Sequence, residues 1–251
     1  MTIEKRGFRL LSNNALKIIA CISMIFDHLG VIVFPDVAFL RILGRVGFPI
    51  FAYLIAEGAR HTRNKLRHIL TMAGFGIAMQ TVFFLVTGSM EMNVLITFTL
   101  SLLIIYSIDY LKATMFAKEV KKSKTVISSV LFALSLVLAV TTSILFDLDY
   151  GLAGCLLPVF PSLFNTPKVE APPQAFETVD TKTFRILATA IGTACLCIGA
   201  DWRQILGFSA IPILCLYSEK RGKLKLKYLF YIFYPLHMAI LQGIAILIHH
   251  L

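Results

Sequence analysis

The sequence predicts an all-α fold: a polytopic bundle of about nine transmembrane helices with a cytoplasmic N-terminus. Three observations carry this. Of 251 residues, 57% are hydrophobic and only 15% charged, against about 25% charged in a soluble domain. The mean hydropathy is +0.80. The charges gather in short clusters, leaving apolar runs of bilayer-spanning length between them.

Taken in order, the first helix runs from about Asn14 to Phe34, and Pro35-Asp36 makes a tight exit. The second covers about Phe39 to Glu57, the third Leu66 to Val86, the fourth Asn93 to Leu111 and the fifth Val126 to Phe146. A shorter sixth segment, Tyr150 to Phe164, holds Pro158 and Pro161, which predicts a kinked or partial span. The seventh covers Phe184 to Ala200, the eighth Trp202 to Tyr217 and the ninth Tyr228 to Ile248. Residues 1–251 read as a single membrane domain, with the proline-rich stretch 165–182 as its one flexible polar loop, on the cytoplasmic side.

Orientation follows from the loops. One set carries Lys5, Arg6 and Arg9, then Arg60, Arg63, Lys65 and Arg67, then Lys112, Lys118, Lys121, Lys122 and Lys124, then Lys220, Arg221, Lys223, Lys225 and Lys227. The alternate set carries Asp36, Glu91, Asp147, Asp149 and Asp201. Positive charge marks the cytoplasmic side, so the N-terminus is expected inside and the C-terminus outside. The same clusters account for the net charge of +10 and exclude nucleic acid as its explanation. The basic start and first apolar run read as a retained span, because Asp27 and His28 interrupt the run and no small-residue cleavage site follows. Five cysteines lie inside apolar runs, without disulfide or metal spacing.

Charged and imidazole side chains inside spans cost about 2.5–3.5 kcal/mol at a helix centre, which makes them functional candidates. Lys17 and His28 are eleven positions apart, only about 20° past three full turns, so they share a face about 16 Å apart. Lys17 suits either a cavity or snorkelling at a helix start. His28 sits well inside the first span. Asp27, its neighbour, cannot pair with it side by side and is expected to meet a cation from another helix. Arg41 and Arg45, one turn apart in the second helix, are the candidates for that partner and for a polar pocket. Gly44 and Gly47 permit close approach there, and Pro49 predicts a kink. Arg60 and Arg63, at the cytoplasmic end of the same helix, can fork onto phosphates or simply mark topology. His237 follows Tyr234-Pro235 in the last helix, where it either lines the same cavity or hydrogen-bonds a backbone carbonyl.

The runs ALKIIACISMIFDHLG, LRILGRVGFPIFAYLIAEGARHTRN, NVLITFTLSLL and YIFYPLHMAIL resemble the TraX family, whose namesake N-acetylates F pilin. The resemblance covers residues 14–111, loosens through the middle and returns near Tyr231 to Leu241. TraX proteins are in turn similar to the transmembrane acyltransferases, including the acyltransferase-3 enzymes. In those, a basic residue precedes a catalytic histidine by the spacing of Lys17 and His28, and an Arg-x-x-Arg pair like Arg60 and Arg63 handles acyl-CoA.

The resemblance therefore implies a bacterial cytoplasmic-membrane acyltransferase with acetyl-CoA as donor. Arg60, Arg63 and Lys17 would bind the donor, His28 would act as general base, and Asp27 would orient it. Arg41, Arg45 and His237 would line the pocket for an extracytoplasmic protein, peptide or glycan acceptor. An acyl-histidine intermediate stays open. Two other classes also suit buried charge and kinked helices: an ion-coupled transporter and a structural component of a conjugation or secretion apparatus.

Overall fold

Ser12 opens the first helix, its hydroxyl accepting the Ala15 amide at 3.2 Å, as an N-cap residue does. The computed structural model describes residues 10–198, 201–220, 222 and 227–249. Basic positions Lys5, Arg6, Arg9, Arg221, Lys223 and Lys225 lie outside the described residues, as does Ala200. The described residues form helices and no strand; two isolated bridges, Leu11 with Tyr217 and Met92 with Leu148, are the sole β-type pairings among them.

The elements are α1 (Asn13–His28), continued by a π turn (Leu29–Val33), α2 (Ala38–Gly44), α3 (Gly47–His61), α4 (Lys65–Thr87), α5 (Val94–Met115) and α6 (Lys122–Leu145). Then come α7 (Gly151–Leu156), α8 (Val159–Ser162), α9 (Gln174–Val179) and α10 (Lys182–Cys197). A 3-10 stretch (Trp202–Ser209), α11 (Ala210–Cys215) and α12 (Lys227–His249) complete the described chain.

Among the described residues, five stretches are long and apolar enough to cross a membrane by length and composition: Asn13–Val33, Ala38–His61, Lys65–Thr87, Val94–Met115 and Lys122–Leu145. The expected ninth helix is the 23-residue α12, while the sixth, seventh and eighth segments are shorter than a full span. The sixth segment is two short helices meeting at Pro158, and α10 has 16 residues, about 24 Å of rise against a hydrocarbon core of about 30 Å. The eighth is a 3-10 stretch followed by a six-residue helix. Hydropathy alone had made each look like a span.

Two compact units emerge from the packing: Met1–Leu54 with Ala200–Leu251, and Ile55–Gly199. In the first, the expected second helix is broken between Gly44 and Gly47. The cause is Pro49, which has no N–H to give the carbonyl of Arg45. The break leaves the Leu43 and Gly44 carbonyls to the Ser23 hydroxyl, at 2.7 and 2.9 Å. The π turn carries the chain past α12, where Val33, Leu241 and Ala245 form a small buried cluster.

In the second unit α5 is the central helix. In α5's most apolar stretch 72% of residues are buried, against 17% in α4 and α6, which present Leu85 and Ile144 outward as lipid-facing helices do. Hydroxyls join α5 to its neighbours: Thr97 donates to Asp149 O, Ser101 to Cys155 O, and Ser107 and Thr114 pair with Ser135 and Ser128. Between α8 and α10 the chain forms α9, and the Thr166 amide and hydroxyl donate to Asp180.

Candidate functional site

The candidate site in the first unit lies where α1 becomes a π turn. His28 is the last residue of α1, and the Phe34 amide donates to Leu29 O, five residues back, at 2.9 Å. Such π turns often mark functional positions, because they reset the face that a helix presents. Gly30 makes the close approach to α2 possible: a Cβ there would stand 3.0 Å from Leu40 Cβ and 3.1 Å from Arg41 Cγ.

Asp27 and His28 are adjacent and diverge by one helical step, about 100°, so they serve different neighbours. Asp27 turns to α2 and the break after it. Arg41 donates to its Oδ2 at 3.0 Å, and Arg45 to its Oδ1 at 2.5 Å. Arg45 also donates to Arg41 O at 3.3 Å and to Gln204 Oε1 at 3.1 Å. Gly44 backs directly onto Asp27: a Cβ there would run into the aspartate's own Cα, Cβ and carboxylate. Such a charge cluster satisfies itself.

His28 turns to α12. His237 Nε2 lies 3.1 Å from His28 Nδ1, and the ring centroids are 5.0 Å apart. His237 Nδ1 is 2.9 Å from Phe233 O, and His28 Nδ1 is 2.9 Å from Met24 O. A carbonyl only accepts, so in the neutral pair both Nδ1 atoms carry the proton. His28 Nδ1–H is therefore shared between Met24 O and His237 Nε2, and His28 Nε2 keeps its lone pair. The Phe233 ring stacks on His237 at 4.7 Å and 7°, and Tyr234 flanks both imidazoles. His237 is 6% exposed while His28 is half-buried. In that neutral form His28 offers an unprotonated Nε2, as a general base or a nucleophile does. Lys17 is half-buried on the same helix, eleven residues before His28.

Arg60 and Arg63 belong to the second unit and have different surroundings. Arg60 pairs with Asp180 at 3.0 Å, and Arg185 meets the same carboxylate at 2.6 Å. The Thr166 amide and hydroxyl donate to it at 3.0 and 2.9 Å, and Lys168 Nζ reaches Arg60 O at 3.1 Å. Burial by itself would raise the Asp180 carboxyl; the Thr166 donors and then the two guanidiniums outweigh it and hold it below the usual carboxylate value. Arg63 is exposed beyond the end of α3.

The structure thus brings together His28 with His237, and Asp27 with Arg41 and Arg45. Sequence reasoning missed Asp180, Arg185, Thr166 and Gln204. Arg185 carried a usable signal, a lone arginine one position inside the apolar run from Phe184. Gln204 carried none.

Both histidines fall inside the region that comparison with known proteins matches. The family model described as TraX protein matches residues 12–245. The chain is 27% identical, over an alignment of 263 positions covering 90% of its own length and 92% of the relative's, to the probable fimbrial assembly protein FimC, serogroup H1, of Dichelobacter nodosus. A shorter similarity, 40% over 38 residues and 15% of each chain, links it to an uncharacterised protein of Rickettsia prowazekii (strain Madrid E). No solved structure matches it. With the family model spanning nearly the whole chain, this membrane protein belongs to the TraX family.

Proposed function

We propose that this chain is a multi-pass acyltransferase of the bacterial cytoplasmic membrane that acts in pilin modification or pilus assembly. It moves an acetyl group from cytoplasmic acetyl-CoA to an amine or hydroxyl on an extracytoplasmic acceptor, foremost a pilin N-terminus. The supporting observation is the bare Nε2 of His28, whose Nδ1 is committed to Met24 O and His237. Membership of the TraX family and similarity to a probable fimbrial assembly protein support the substrate class.

In this reading His28 Nε2 takes the proton from the acceptor as its nitrogen or oxygen attacks the thioester carbonyl. The carbon–sulfur bond breaks, and the leaving CoA thiolate receives that proton from His28. Lys17, on the face of α1 that carries His28, contacts the donor's pantetheine arm. Arg60 and Arg63 bind its phosphates from the cytoplasmic side, a role in which phosphate replaces Asp180 at Arg60. Asp27 fixes Arg41 and Arg45, and these arginines hold the acceptor.

The test is acetyl transfer by purified protein in nanodiscs, from acetyl-CoA to a synthetic pilin N-terminal peptide, read by mass spectrometry. Transfer should occur and should fall about 100- to 10,000-fold in His28→Asn. An active enzyme that tolerates His28→Asn sinks the assignment. Reporter fusions after Lys124 should read cytoplasm and fusions at Leu251 the outside; the same side for both breaks the proposed orientation.

A further inference from the structure

We propose that His237 is the positioning residue for His28: its Nε2, 3.1 Å from His28 Nδ1, accepts that nitrogen's proton and so presents the bare Nε2 of His28 to the acceptor. The inference rests on the acyltransferase reading for its consequence, and on the geometry alone for the pairing.

Three features make His237 fit for this work. Its ring cannot flip roles, because Nδ1 must donate to Phe233 O. Its plane is set by the Phe233 ring stacked 7° from parallel, and Tyr234 closes a second side. It is only 6% exposed, so little of the ring meets solvent.

Asp27, the expected orienter, is instead taken by Arg41 and Arg45. A carboxylate would hold the base more strongly through its full charge, but it would also add a buried charge. A neutral acceptor orients His28 without one. When His28 Nε2 takes the acceptor's proton, the imidazolium keeps donating from Nδ1 to Met24 O and His237 Nε2. Both bonds strengthen as the charge forms, and the proton then leaves Nε2 for the CoA thiolate.

The experiment uses the full chain in nanodiscs with two variants. His237→Leu removes the acceptor at similar bulk, and His237→Gln restores one through its amide oxygen. Losing a hydrogen bond to a group that becomes charged predicts a roughly ten- to hundred-fold lower kcat in His237→Leu. The KM for acetyl-CoA should be unchanged, with substantial recovery in His237→Gln.

The second readout is the nitrogen-15 NMR spectrum of histidine-labelled protein, with the His28 signals assigned by their loss in His28→Asn. His28 should be protonated at Nδ1 in all three proteins, because Met24 O accepts there whatever stands at 237. The wild type alone should show a scalar coupling between His28 Nδ1 and His237 Nε2 across their hydrogen bond. No such coupling in the wild type overturns the proposal whatever the rates. If the wild type transfers nothing to any acceptor yet the coupling is present, the pairing stands and the acyltransferase reading fails.

Discussion

The end of α1 and the approach to α10 each gather an aspartate between two arginines, yet they end in different chemical states. Asp180 accepts from Arg60, Arg185 and both the amide and the hydroxyl of Thr166. Asp27 accepts from Arg41 and Arg45, but the residue after it, His28, keeps a ring nitrogen with its lone pair. Saturation of a carboxylate fixes backbone; it leaves nothing with which to react. What distinguishes the end of α1 is the histidine pair beside the charge cluster, held by backbone carbonyls one turn back on each helix.

The largest expected effect tests that division directly. His28→Asn should abolish transfer, a loss of about 100- to 10,000-fold, with little change in thermal stability in detergent. Asp27→Ala should do the reverse to the fold: it leaves two guanidiniums without their carboxylate, at a cost of about 3–5 kcal/mol for a broken buried pair. A stable Asp27→Ala protein that has lost only its rate would move Asp27 into the chemistry and erase the contrast. In the wild type the rate should also fall on acidification, because imidazolium cannot accept a proton.

The part of this visible in the sequence was the part that one helix decides. Lys17 and His28 share a face because of the helical repeat alone. Asp27 had to look to another helix because its neighbour points elsewhere. The break at Arg45 follows from Pro49. The starts of α4 and α5 lie within one residue of the expected Leu66 and Asn93, and Asn64 and Asn93 cap them, accepting the Arg67 and Leu95 amides. The pairing of His28 with His237 spans 209 positions and left no local mark. Likewise the stretch from Trp202 is largely apolar, and hydropathy cannot tell a 3-10 path from a crossing helix. The π turn after His28 had no residue to announce it.

A smaller effect belongs to Asp180. Its carboxyl is held below the usual value, so its stabilisation is full above the unfolded pKa of about 3.9 and fades as pH falls through the lower folded value. Asp180→Asn should therefore cost about 1.5–3 kcal/mol near neutral pH, the range for hydrogen bonds to a charged group. The gap between variant and wild type should close below about pH 4, measured as thermal unfolding in detergent across pH. A gap that persists in acid would mean that Asp180 acts through shape, not charge. If Asp180→Asn instead tightened acetyl-CoA binding, Arg60 would be released for phosphate, and the saturated cluster would have a ligand after all.

The smallest effect concerns Ser23, which lies in α1 one turn before Asp27. Its hydroxyl has one proton for two carbonyls, Leu43 O at 2.7 Å and Gly44 O at 2.9 Å. Those carbonyls lost their helical partners where the chain breaks ahead of Pro49, and a buried carbonyl without a donor is costly. Ser23→Ala should lower stability by about 0.5–1.5 kcal/mol, the usual net worth of one neutral hydrogen bond. It should leave transfer within about two-fold, because Ser23 touches neither imidazole and the arginines keep their own hold on Asp27. Replacing serine by alanine removes one oxygen and adds no bulk, so the Gly47 backbone packed against it has no reason to shift. A ten-fold loss of rate at unchanged stability would show that the geometry of the break reaches the chemistry. Structure and reaction would then not be separable at the end of α1, and the contrast with Asp180 would become one of degree.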